Sequence, residues 1–164
     1  MKEIYVLGLD VSMNSKGWAV LGVKGQAVRY VDSGIIKANT KLSHGKRLRN
    51  QREKFKEIIE KYNPKYVARE AGFARHVKST QVLFKAYGVA DEFFSDLDLV
   101  EYAAATIKKY VTGKGKASKE EVEAAIRKTF NLQDYKFASD DESDAIAISL
   151  THIKKLIEGG TVNV

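Results

Sequence analysis

Residues 4–36, IYVLGLDVSMNSKGWAVLGVKGQAVRYVDSGII, decide the fold. Three apolar runs lie within them, at 4–10, 17–23 and 28–36, each of strand length and rich in Val, Ile, Leu and aromatic residues. Polar VSMNSK reads as the turn after the first run, and Lys24-Gly25-Gln26 suits a tight hairpin between the second and third. Trp18 falls inside the second run, as a core residue.

Past this meander the apolar period lengthens. From about Ser43 to Tyr62, the residues Leu48, Phe55, Ile58, Ile59 and Tyr62 share one helical face, and Asn63-Pro64 stops the helix. Tyr66–Glu70 is a fourth strand. A helix over roughly 77–95 turns Val82, Leu83, Ala86, Tyr87, Ala90 and Phe93 inward. Leu97–Tyr102 is a fifth strand, followed by a short helix around 103–111. Ser118 with Glu121 forms a capping box that opens a helix carrying Val122, Ala125, Ile126 and Phe130. A final helix runs from about Asp140 to Glu158, ended by Gly159-Gly160. The order βββαβαβαα plus a final helix predicts an α/β fold, a five-stranded mixed sheet flanked by helices. At 164 residues the chain suits a single domain spanning 1–164, with only its last residues, TVNV, loose.

Composition excludes several classes. Without cysteine there is no disulfide framework, thiolate zinc site or cysteine nucleophile. No apolar run reaches the roughly 18 to 20 residues of a membrane helix, and no signal-type segment opens the chain, so no membrane partner and a cytoplasmic location are expected. The net charge of +7 favours a polyanion partner. Basic residues gather at Lys46–Lys56, at Arg75, His76 and Lys78, and at Lys108, Lys109, Lys114, Lys116 and Lys119.

Four acids stand at element ends. Asp10 closes the first strand, and Glu70 closes the fourth, which a right-handed crossover can set parallel to the first. Asp141 and Asp144, three apart, share a face at the start of the last helix. Taken singly each has an ordinary explanation: Asp10 turning to its own backbone, Glu70 paired with Arg69, Asp141 and Asp144 countering a helix dipole. Jointly they form a pocket of hard oxygen ligands that suits Mg²⁺ or Mn²⁺ rather than zinc. Like charges brought together call for a cation or for protonation. Two ions about 3.5 to 4 Å apart could clamp the attacking water and leaving oxygen of a phosphodiester. His152, on the last helix, reads as a packed or solvated histidine rather than a ligand.

With these residues in hand, the chain resembles the RuvC family of Holliday-junction resolvases over about residues 4 to 153. GLDVSMNSKGWAV resembles the family's first strand and catalytic Asp, which implies Asp10 as a metal ligand. VAREAGF resembles the strand bearing the catalytic Glu, hence Glu70, with Phe73 at the junction-wedging aromatic position and Gly72 freeing the backbone to turn outward. EYAAATIKKYVTGKGKASKEEV resembles the segment that supplies basic residues near the scissile phosphate, which maps Lys108 and Lys119. DDESDAIAISLTHI resembles the closing helix with Asp141 and Asp144. The resemblance implies a ribonuclease-H-like fold, a homodimer, two divalent ions per active site, and paired nicks across branched DNA. Lys119 is then the catalytic lysine, with Phe73, Arg75, Lys78, Lys108, Lys114 and Lys116 as DNA contacts.

The chain departs from the family in reading Val-Ser-Met-Asn after Asp10, where Pro-Gly-Ser is frequent. Arg69 is more polar than usual before the Glu and is expected to reach the surface. The short tail after the last helix suits a phage-encoded member, acting in an infected host cell, as well as a bacterial one. Rival readings are a flap or branch nuclease or a ribonuclease H on the same fold, and a non-cutting junction-binding protein. An actin-like ATPase would need two such domains.

Overall fold

The computed structural model describes residues 2–11, 15–72, 77–97 and 99–161. Strands β1 (Ile4–Val11), β2 (Ser15–Lys24) and β3 (Ala27–Lys37) form the antiparallel meander. Lys24 pairs with Ala27, so Gly25-Gln26 is a two-residue hairpin turn, and Gly25 has the positive φ of 61° that such a turn requires. After α1 (His44–Tyr62), strand β4 (Tyr66–Glu70) lies parallel to β1, with Leu9 opposite Arg69. Helix α2 (Val77–Phe93) leads to β5 (Val100–Tyr102), parallel to β4, giving the sheet order β3-β2-β1-β4-β5. Helices α3 (Ala104–Thr112), α4 (Lys119–Phe130) and α5 (Asp140–Glu158) complete the chain.

Strand alternation sorts the sheet into two cores. Val6, Ala19, Leu21 and Ala68 face α5, with Ile107 of α3 and Val122 and Ile126 of α4 behind it. Leu7, Leu9, Trp18, Val20 and Val67 face the other way, against Phe55 and Ile58 of α1 and Ala86, Tyr87 and Ala90 of α2. Trp18 is therefore core, as its place in the second run predicts. Apart from half-buried Asp144, helix α5 is buried all round from Glu142 to Ile153, as a helix wedged between a sheet and two other helices must be. Truncating Ile146, Ile148 or Ile153 to Ala would cost about 2–5 kcal/mol.

Local chemistry sets the helix ends. Asn63 and Asn131 close α1 and α4 in the left-handed conformation, and Ser118 with Glu121 makes the expected capping box. Three expectations need correcting. Ser15 and Lys16 belong to β2 rather than to the turn before it, because the pairing of Val11 with Lys16 extends the ladder. The fifth strand begins at Val100, not at Leu97, because Ser95–Leu97 coils into a single 3₁₀ turn in which the Leu97 N–H bonds to the Phe94 carbonyl at 2.9 Å. Phe94 fills the core where Phe93 was expected, and Phe93 is only partly buried. Among the described residues no helix is long and apolar enough to cross a membrane.

Candidate active site

The carboxyl of Asp10 points from β1 towards α5, because it alternates in step with Val6 and Gly8. One position beyond the Leu9–Arg69 pair, Glu70 ends β4 on the same face. The start of α5 carries Asp141 and Asp144 onto this corner, and two glycines let it approach. A Cβ on Gly17, the cross-strand partner of Asp10, would lie 1.7 Å from the Asp141 carbonyl oxygen. One on Gly8 would lie 2.2 Å from the Ala145 carbonyl oxygen. Both distances are impossible for any larger residue, so Gly8 and Gly17 fix how closely α5 sits on the sheet.

Crowding shows in the ionisation of the acids. Burial first, and then the charges of Asp144, Asp141 and Glu70, raise the Asp10 carboxyl well above the ordinary aspartate range. Burial and Asp144 raise Glu70, while Lys119 and Lys108 pull it back. Asp144 is raised by burial against the opposing pull of Lys119, whose Nζ stands 3.4 Å from its carboxylate. Asp141 accepts a hydrogen bond from the Ser15 hydroxyl. As the side chains stand, no three His, Asp or Glu among the described residues form a closed cage for one ion. The donor set nonetheless fits a hard divalent cation: every candidate ligand is a carboxylate, and the mutual repulsion on Asp10 is what such a cation would relieve.

A buried acid that spacing did not single out holds this corner in place. Glu142 is 1% exposed and accepts from the Ser33 hydroxyl at 2.6 Å, the Tyr135 hydroxyl at 2.7 Å and the Ala138 N–H at 2.7 Å. It ties the first turn of α5 to β3 and to the loop before the helix, so its neighbours Asp141 and Ser143 cannot swing away from the sheet. Only its place in the acidic run 140–144 hinted at a role, and that run reads equally well as a solvated helix start.

The other sequence-derived residues fall in three groups. Lys108 on α3 and Lys119 at the start of α4 stand on the acid cluster's side and act on Glu70. Lys78, Lys114 and Lys116 are exposed, and Lys114 stands 3.5 Å from Glu121. Phe73 and Arg75 lie outside the described residues. Gly72 has no positive φ; a Cβ there would come within 2.8 Å of the Tyr87 ring, so close packing explains it. Arg69 does not reach the surface. It is 3% exposed, its guanidinium stands 2.8 Å from Asp91 and 2.7 Å from Glu101, and it stacks 4.2 Å from the centre of the Tyr87 ring. The reason is alternation: Arg69 shares the face of Val67, under α2, opposite to Glu70. It therefore does not pair with Glu70. His152 is packed, with its Nδ1 2.6 Å from the Tyr102 hydroxyl, and burial lowers its pKa to about 4.

A mixed five-stranded sheet of this order, with acids at the ends of two parallel strands and at the start of a helix laid across them, defines a ribonuclease-H-like nuclease domain. The family model for crossover junction endodeoxyribonuclease RuvC matches residues 6–152, and the chain belongs to that family. It is 36% identical over 149 residues to the RuvC of Orientia tsutsugamushi strain Ikeda, covering 89% of this chain and 92% of that one. It is 35% identical over 154 residues to the RuvC of Dichelobacter nodosus, covering 92% and 86%. The structure resembles T. thermophilus RuvC in complex with a Holliday junction substrate, with a TM-score of 0.86 at 25% identity over 95% of this chain and 96% of that one.

Proposed function

We propose that this protein resolves four-way DNA junctions in the cytoplasm by hydrolysing one phosphodiester in each of two strands, with Asp10, Glu70, Asp141 and Asp144 as the metal ligands of each site. The observation that carries the reading is the Asp10 carboxyl, raised by burial and then by the charges of three neighbouring acids, in a family of junction endonucleases. Two Mg²⁺ or Mn²⁺ ions bound there would supply a water nucleophile at neutral pH and shield the phosphate charge. The four acids bind and space those ions. Lys119, held at 3.4 Å from Asp144, reaches the same corner and stabilises negative charge as it develops on the phosphate. Lys108, Lys114, Lys116 and Lys78 hold the DNA backbone, joined by Arg75, and Phe73 stacks on bases at the crossover. A two-fold homodimer would present two such sites to the two strands to be nicked.

The test is cleavage of a four-way junction, a flap and an RNA–DNA hybrid side by side, with and without excess chelator. Paired nicks in the junction, lost in chelator and restored by Mg²⁺, are expected. Faster cutting of the flap or hybrid would assign the site to a broader branch nuclease or a ribonuclease H. Cutting that persists in chelator would remove the metal mechanism.

A further inference from the structure

We infer that the recess between β2, the start of α1 and α2 is a second anion subsite, which takes a DNA backbone phosphate away from the bond that is cut. This rests on the junction-binding reading above. Ser15 and Gly17 face α5, so Lys16 between them points through the sheet to the opposite face. There it is 7% exposed and makes no hydrogen bond or ion pair to any described residue.

What surrounds it is basic. His44, Arg47 and Lys85 line the same narrow recess, and Lys37 and Asn50 line the adjoining cleft on Lys16 and Arg47. Among the described residues, neither lining contains an Asp or Glu. The Arg47 guanidinium donates to the backbone carbonyls of Leu42, at 2.9 Å, and Thr40, which fixes its position without neutralising it. Burial and the charge of Arg47 both push the Lys16 ammonium down, and only Asp141, beyond the strand, pulls the other way.

A buried cation without a close counter-ion is costly, and a second cation beside it raises that cost. The first turn of α1 adds to the excess, since it has no acidic residue but carries His44, Lys46 and Arg47 where the helix dipole favours negative charge. A phosphate diester answers all three features: its oxygens accept from Lys16 and Arg47 and complement the helix end. The position is suited to DNA in particular. Lys16 adjoins Gly17, the strand partner of Asp10, so a duplex laid across this end of the sheet meets the acid cluster on one face and the recess on the other.

The experiment measures binding of an immobile four-way junction by the full chain in Ca²⁺ over a range of NaCl, comparing the parent with Lys16→Met and Lys85→Met. Met keeps the apolar stem of lysine and removes the charge, and Lys85→Met serves where a change at the buried position disturbs folding. Each variant should bind several-fold more weakly, and the slope of log K against log salt should shrink by about 0.9 for each phosphate that is no longer neutralised. Affinity and slope equal to the parent's in both variants would overturn the subsite. A parent stabilised against heat by inorganic phosphate, with that effect absent from Lys16→Met and junction affinity unchanged, would assign the recess to free phosphate and overturn the DNA reading. A parent that binds no junction at all would instead sink the proposed function, a result separate from variants that match a binding parent.

Discussion

The carbonyl oxygen of Asp141 sits directly over the Cα of Gly17, so near that a methyl group on residue 17 would come within 1.7 Å of it. Gly17 pairs across the sheet with Asp10, so this close approach sets how far the acids of α5 stand from the acid of β1. Gly17→Ala must lift the start of α5. The expected cost is about 1–3 kcal/mol of stability, typical of overpacking, and loss of most junction cutting because the acids no longer converge. Gly45→Ala is the control, since a Cβ there meets nothing within 4 Å. A Gly17→Ala protein that cuts at the parental rate would show that the spacing of α5 from the sheet does not set the site.

The raised carboxyl of Asp10 makes stability depend on pH. An acid whose folded pKa lies above its ordinary 3.8 binds more protons folded than unfolded between those two values, so stability falls as pH rises through that window and stays low above it. In chelator, the melting temperature of the parent should drop across this window, and Asp10→Asn should drop less and melt higher at neutral pH. Mg²⁺ should stabilise the parent and not the variant, which also ceases to cut. Parallel melting curves for the two proteins across pH would refute this account of Asp10.

Lys119 opposes the raised pKa values of both Glu70 and Asp144. Lys119→Ala should lower the single-turnover cutting rate by about 10²-fold, with a much smaller change in junction affinity. It should also move the acidic limb of the pH–rate profile to higher pH, because two carboxylates lose the cation that favours their charged form. A profile that falls in rate but keeps the same limb would leave Lys119 acting on the phosphate alone.

Glu142 accepts three hydrogen bonds through two carboxylate oxygens. Gln in its place offers one acceptor oxygen and turns an amide N–H₂ towards a donor. Glu142→Gln should lose about 1–3 kcal/mol of stability by urea titration. Its cutting should weaken most at low Mg²⁺, since α5 is then held less firmly against β3. Unchanged Mg²⁺ dependence in a destabilised protein would reduce Glu142 to a purely structural anchor.

Local order was legible in the chain itself. Strands at 4–10, 17–23 and 66–70, the stop at Asn63, the capping box at Ser118 and acids at three element ends all follow from periods of two or 3.6 residues and from end chemistry. These depend on neighbours within a few positions. The side that each polar residue faces, and what meets it there, did not follow. Arg69 reads as a surface residue, yet alternation in β4 turns it under α2, where Asp91 and Glu101 enclose it. Glu142 reads as one more acid of a helix start, and becomes buried because Ser33, 109 residues earlier, lies beneath it. Lys16 reads as part of a polar turn, and the ladder places it in β2 facing a basic recess. Sequence by itself determined the elements, their order and the identity of the acids, because those are set by short-range spacing. Only the tertiary structure decided which charges meet, because packing α5 on Gly8 and Gly17 joins residues more than a hundred positions apart.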